Sequence, residues 1–396
     1  MKDLKIFANQ IEEQALKQID EIMENPTFKD EKVRIMPDVH AGKGCVIGFT
    51  STIRDKVIPN VVGVDIGCGM LTVPLGKMEV DLECLDRVVR ERIPSGKNIQ
   101  DREPLVYKGF TEGLYCSKNI KNINRIERSI GTLGGGNHFI EVGEDSKGNK
   151  YLVIHTGSRN LGLQVANYYQ DLAIKLNREM ISTEKEHLIN KYKETGREDE
   201  LQLAIKKLQQ EFVPNKDLCY LEGEHKDMYL HDMAICQKYA SINRELIATN
   251  ILTSLARPSE LLKLFCDGFH TIHNYIDIEN NIVRKGAISA KKGEKLLIPI
   301  NMRDGCILGV GKGNDNWNQS APHGAGRLMS RTQAKKEITL DEFQDSMSGV
   351  YSSSVKTSTI DEAPMAYKSM EDIVSQISDT VEIIDIIKPI YNFKHS

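Results

Sequence analysis

The sequence predicts a mixed α/β body in one piece, interrupted by a long helical insertion, and three patterns carry that expectation. Short apolar runs broken by glycine recur through the first 160 residues and again beyond residue 258. Such runs are the mark of buried strands that end in loops. Between them, residues 162–256 keep helical spacing almost throughout. The chain has no internal repeat, no low-complexity segment and no clean linker, so one domain over 1–396 with an insertion at 162–256 fits better than separate domains.

In order along the chain, Ile11, Ala15, Leu16 and Ile19 space the first 25 residues as a helix. Residues 33–36, 45–49 and 61–64 are apolar runs expected as strands. Residues 80–95 are expected as a helix, whereas 96–128 are polar and carry no clear period. Strands return at 139–142 and 151–154. Within the helical stretch, 184–210 is dense in charge, as in a protruding hairpin that is either a solvated spacer or a contacting arm. Strands resume after Pro258 with glycine-rich turns through 313, and the end is expected as a helix followed by a strand over 383–390.

At 396 residues the chain has room for two or three domains of about 150 residues, or for one large enzyme domain with an ample core. The mean hydropathy is -0.37. No apolar run approaches the roughly 18 residues of a membrane span, and the first residues lack the apolar stretch of a secretory signal. A cytoplasmic protein with no membrane partner is the expectation. A formal net charge of -4 argues against a bulk electrostatic binder of nucleic acid but leaves room for a local basic groove. Eight cysteines are scattered without a CxxC pair, which disfavours a structural zinc site, and without a secretory signal they are expected reduced.

Chemistry concentrates in six segments where glycine, histidine and asparagine cluster. In 36–44, Asp38 and His40 alternate on one face and Lys43 lies between glycines, a place where an anion could meet backbone and ammonium together; a plain turn explains it as well. In 63–70, Asp65 stands three residues before Cys68 in a glycine-rich turn, which suits a transition metal or is simply a buried cysteine. Three glycines precede Asn137, His138 and Glu141, and close approach of a ligand is the better explanation of their entropic cost. His155 ends an apolar strand ahead of Arg159, as a metal ligand with a phosphate clamp or as a satisfied core histidine. His270 and His273 are three apart, so on a strand only one of them faces inward.

The sixth segment, 320–331, holds His323 between Pro322 and Gly324, followed by Ala325, Arg327 and Arg331. Helical spacing would put both arginines on one face. An imidazole flanked by guanidinium groups suits phosphoryl or nucleotidyl transfer, because a neutral imidazole attacks phosphorus and arginine stabilises the charge that develops. Asp65, Cys68, His138, His155 and His273 form a mixed O/S/N donor set large enough for two metal ions that share a ligand. Composition does not choose among Mn, Zn and Fe.

The segments MPDVHAGKG, VGVDIGCGM, GTLGGGNHFIEV, HTGSRNLG, HNY, VRKGA and HGAGRLMSR, in this order from about residue 30 to the C-terminus, resemble the signature segments of the RtcB family of RNA ligases. The resemblance implies an RtcB-like catalytic domain with mixed sheets around a deep metal cleft. It implies joining of an RNA 3′-phosphate, or a 2′,3′-cyclic phosphate opened first, to a 5′-hydroxyl, with GTP and two Mn²⁺ as cofactors. His323 would carry GMP. Asp65, Cys68, His138, His155 and His273 would hold manganese, with Cys68 as the bridge. Asn137 and Glu141 would lie against the guanylate, with Lys43 and Ala325 also at the nucleotide. Arg159, Arg327 and Arg331 would hold phosphates, and Lys394 would contact guanine. RNA repair and tRNA splicing are the roles implied, with room for an activating protein.

The sequence departs from the family pattern in three places. The family commonly has PGSMG where this chain has Pro299-Ile300-Asn301-Met302-Arg303, Pro322 precedes the histidine in place of Cys or Phe, and Lys394 is followed by His-Ser. Two rival classes stand beside the ligase: a dimetal phosphoesterase or nuclease, which has no use for a nucleophilic His323, and a noncatalytic RNA-binding protein, which has no use for a thiol in a glycine turn.

Overall fold

The computed structural model describes residues 3–102, 104, 109–211 and 215–395; residues 212–214 of the expected helical stretch lie outside them. Two sheets organise the α/β body. The larger has seven strands in the order Lys295–Asn301, Gly305–Gly311, Val381–Lys394, Phe139–Glu144, Lys150–Thr156, Gly69–Gly76 and Phe269–Ile272. All its neighbours run antiparallel. The last strand of the chain therefore lies inside this sheet. Its first half pairs with Gly305–Gly311 and its second half with Phe139–Glu144.

The smaller sheet orders Asp3–Ile6, Lys32–His40, Ile47–Thr52, Ile282–Lys285 and Asn274–Asp277. Its edge strand Asp3–Ile6 runs parallel to Lys32–His40. His273 stands between Phe269–Ile272 of one sheet and Asn274–Asp277 of the other, so the two sheets meet at that residue.

Helices cover both. Ile247, Ala248, Ile251 and Leu252 of the helix Gly223–Leu255 pack on Leu71, Ile140, Leu152 and Ile154 of the large sheet. The first half of the same helix, through Tyr229, Met233 and Tyr239, joins Tyr169 of the helix Arg159–Glu194 and Val33 and Phe49 of the small sheet in a second core. The helical stretch is thus partly a wall of the body. Its distal part is mostly exposed at the end of Arg159–Glu194 and exposed or half-buried over 201–207. No described helix is long and apolar enough to cross a membrane.

Four local expectations are corrected. The first 25 residues are not one helix: Asp3–Ile6 is a strand, and the helix is Glu13–Glu24, whose buried Ala15, Ile19 and Ile22 carry the spacing. Residues 61–64 form no strand, because Pro59 starts a short 3₁₀ turn, Pro59–Val61, which buries the valines without a ladder. Pro258 opens a helix, Pro258–Cys266, as proline suits the first helical position, before strands resume. The final strand is longer than 383–390, at Val381–Lys394.

Candidate active site

The registers of the large sheet gather the suspicious residues at one edge. Met70 and Phe139 both stand opposite His155, Gly69 lies opposite Thr156 and Ile272, and Lys394 is opposite Phe139. Strands 139–144 and 69–76 begin there, and strands 150–156, 269–272 and 381–394 end there. Residues scattered over 330 positions of sequence therefore share one rim.

Five predicted metal ligands meet at that rim in two overlapping groups, Asp65–Cys68–His138 and Cys68–His155–His273, with Cys68 common to both. Sγ of Cys68 lies 3.5 Å from Nε2 of His138 and 3.4 Å from Nε2 of His155. Nε2 of His155 is 3.0 Å from Nε2 of His273, and Nε2 of His138 is 3.1 Å from Oδ2 of Asp65. Nδ1 of His138 is held 2.9 Å from the carbonyl of Leu133, which fixes the tautomer that leaves Nε2 as a lone pair. Burial, reinforced by their neighbouring imidazoles, pushes His155 and His273 well below the usual histidine range, so both are neutral. Burial and the Asp65 charge push the Cys68 thiol well up. A cation among these atoms reverses that cost, since a coordinating thiol is deprotonated. Ring nitrogens facing one another across 3.0 Å, a buried thiol and a carboxylate make a donor set that fits one or two divalent transition metals. His270 faces the other way, to Glu245, Ser241 and Arg244, as alternation along the strand requires.

Beside this donor cluster opens a cavity of about 440 Å³ lined by His323, Asn137, Glu141, Ala325, Arg327, Arg331 and Lys394, together with His155 of the cluster. The ring of His323 lies 4.8 Å, centroid to centroid, from that of His273. Nδ1 of His323 is 2.6 Å from Oδ2 of Asp38, which also accepts the main-chain N–H groups of His323 and Gly324 at 3.1 and 3.2 Å. Asp38 is fully buried. With Nδ1–H donated to the carboxylate, Nε2 is the ring atom left free to react. The glycine after Ala325 makes this approach possible: Gly326 has φ 76°, and a β-carbon there would come within 2.5 Å of the Asp38 carbonyl oxygen.

The far wall is charged. Glu362 accepts from Nζ of Lys394 at 2.5 Å and from Tyr367 at 2.8 Å, and also pairs with Arg331. Burial would raise this carboxyl, yet Lys394 and Arg331 hold it down at about 2. Arg327 and Arg331 do not share a helix face. Arg331 opens the helix Arg331–Glu337, whereas Arg327 bridges to Tyr367, and both side chains converge on the 361–362 turn instead. Burial pushes Glu141 up to about 7, although Asn392 donates to it at 2.8 Å and the Cys306 thiol at 3.4 Å.

Two predicted residues stand apart from this cavity. Lys43 is exposed, and its carbonyl accepts from the buried Nζ of Lys285. Arg159 donates to the Thr132 hydroxyl at 3.1 Å and the Gly96 carbonyl at 3.0 Å, with its guanidinium lying directly on Gly134. Of the three glycines before Asn137, one is thus packed under Arg159, one against His395, and only Gly136 is open.

Sequence reasoning missed Asp38 as the partner of His323, Glu362 and Tyr367 behind the arginines, and Asn392 beside Glu141. It also missed Asn243 and Arg244. Asn243 accepts from the amides of Gly131 and Thr132 and donates to the carbonyls of Thr132 and Gly157. Arg244 donates to the carbonyls of Gly67 and Thr156. These two buried residues tie together the loops that carry Cys68, His138 and His155. Two signals were in the sequence: Asp38 and His40 alternate in one motif, and Asn392 stands two residues before Lys394 on the same strand face.

The family model described as "tRNA-splicing ligase RtcB" matches residues 18–395. The chain is 30% identical to the RNA-splicing ligase RtcB of Escherichia coli K12, over 92% of this chain and 90% of that one. It is 28% identical to the tRNA-splicing ligases RtcB of Nanoarchaeum equitans, over 86% and 83% of the two chains, and of Aeropyrum pernix, over 88% and 84%. Matched along almost its whole length, with the donor set and the paired His323 in place, the chain belongs to the RtcB family.

Proposed function

We propose that the protein is an RNA ligase that joins a 3′-phosphate end, or a 2′,3′-cyclic phosphate once opened, to a 5′-hydroxyl end at the expense of GTP. The observation that carries this reading is the Asp38–His323 pair at the mouth of the metal cluster, with Nε2 of His323 free and cationic side chains on the facing wall. A nuclease needs the metals but not a nucleophilic imidazole, and a binding module needs neither.

His323 attacks the α-phosphate of GTP through Nε2 and carries GMP, pyrophosphate leaving. The RNA 3′-phosphate takes GMP from His323, and the 5′-hydroxyl then displaces GMP to close the strand. Asp65, Cys68, His138, His155 and His273 hold two Mn²⁺ ions, which when bound neutralise phosphate charge and polarise phosphoryl oxygens. Arg327 and Arg331 carry positive charge to the phosphates, and Glu362 holds both in place. Glu141, neutral below about pH 7, is able to donate as well as accept, and with Asn137, Asn392 and Lys394 it lines the nucleotide end. A cytoplasmic role in RNA repair or tRNA processing fits this chemistry.

The test is a strand-joining assay with a synthetic RNA pair, one end 3′-phosphate and the other 5′-hydroxyl, in GTP and Mn²⁺. Sealed product that requires both the 3′-phosphate and GTP supports the reading. Cleavage of RNA without joining supports the phosphoesterase instead.

A further inference from the structure

We infer that His40 is the base that takes the proton of the RNA 5′-hydroxyl in the sealing step. The inference rests on the ligase reading and deepens it.

The strand Lys32–His40 carries both Asp38 and His40 near its end. Asp38 then orients two imidazoles at once. Its carboxylate holds Nδ1 of His323 at 2.6 Å, and its main-chain carbonyl holds Nδ1 of His40 at 2.9 Å. His40 therefore keeps its ring proton on Nδ1. Its Nε2 has no protein partner among the described residues, and the residue lines the same cavity as His323. Burial and the nearby His323 hold the imidazole below the usual range, against the Asp38 carbonyl and the charges of Asp38 and Glu12. A neutral, oriented imidazole with an open Nε2 is what a base requires.

Proton counting says where a base is needed. In the first step the nucleophile is the lone pair of His323, which has no proton to lose there. In the second step it is an RNA phosphate anion, which again has none. Only in the third step does the nucleophile carry a proton. The 5′-oxygen forms a bond to the 3′-phosphorus, the bond from that phosphorus to the bridging oxygen of GMP breaks, and GMP leaves with the electron pair. The hydroxyl proton goes to Nε2 of His40 and from there to solvent through the open cavity. GMP is a stabilised anion and needs no acid. Of the three steps, sealing alone asks for a second imidazole, and His40 is the one beside His323 that is neither the nucleophile nor a metal ligand.

The experiment measures two steps separately in the wild-type chain and in His40→Gln and His40→Asn. One readout is covalent labelling by α-labelled GTP with Mn²⁺. The other is sealing of RNA that already carries GMP on its 3′-phosphate. Sealing should fall by about 100-fold or more relative to labelling. The defect should shrink as pH rises and hydroxide replaces the base. Sealing at the wild-type rate in both variants overturns the inference, and so does an equal fall in both steps, which marks a structural role. Absence of label on the wild-type chain overturns the ligase reading and this inference with it.

Discussion

Nδ1 of His323 and Oδ2 of Asp38, 285 residues apart in sequence, meet at 2.6 Å inside the protein. The carboxylate also takes two main-chain N–H groups, so it fixes both the ring and the loop that carries it. Asp38→Asn keeps the shape but offers an N–H where an acceptor is needed, and it favours the wrong tautomer of His323. Nucleotide transfer should fall by up to about 10⁴-fold, the effect known for the comparable aspartate of a catalytic triad. Rapid-quench labelling measures it; a wild-type rate in a folded variant would show that Asp38 does not orient the ring.

Cys68 belongs to both donor groups, so its loss damages both. Cys68→Ala should weaken Mn²⁺ binding by about 100-fold or more, beyond the effect typical of outer residues. Calorimetric titration with the metal alone reads this without activity. Unchanged stoichiometry and affinity would refute the shared-ligand arrangement.

Asn243 does not line the cavity, yet it ties the loop before His138 to the loop after His155. Asn243→Ala leaves buried amides and carbonyls without partners, at about 1–3 kcal/mol for each group. The variant should lose about 4 kcal/mol or more of stability and bind Mn²⁺ about 10–100-fold more weakly. Weaker stability with untouched metal affinity would mean that the tether serves the fold alone.

Glu141 gives the protein a pH dependence of defined sign. Its carboxyl, ordinarily at 4.5, is pushed up to about 7 by burial. A raised carboxyl contributes stability that is fully present below its unfolded value and is lost as pH rises through the folded one. Between pH 5 and 8.5 the wild-type chain should therefore lose about 2.5 kcal/mol more than Glu141→Gln. Urea unfolding at the two pH values measures the difference, and parallel losses in both proteins would contradict it.

What the sequence made legible follows from how local each signal is. The candidate metal ligands could be picked out because glycine turns and strand ends concentrate them within short motifs. Their convergence was not, since it depends on register: His155 opposite both Met70 and Phe139 is a fact of the ladder. Asp3–Ile6 was read as helix because a four-residue parallel edge strand carries almost no pattern of its own. Asn243 and Arg244 were hidden within a helix whose polar residues look solvated until the sheet behind it is known. Glu362 was invisible for a related reason: a carboxylate held between Lys394 and Arg331 is defined by partners 32 and 31 residues away.

We propose His323 as the nucleophile, and covalent labelling tests that role directly. The purified chain, incubated with α-labelled GTP and Mn²⁺ and then denatured, should carry acid-labile GMP on His323 by mass mapping, and His323→Ala should carry none while remaining folded. Label retained in His323→Ala, or no label on a wild-type chain with its manganese bound, would contradict the account.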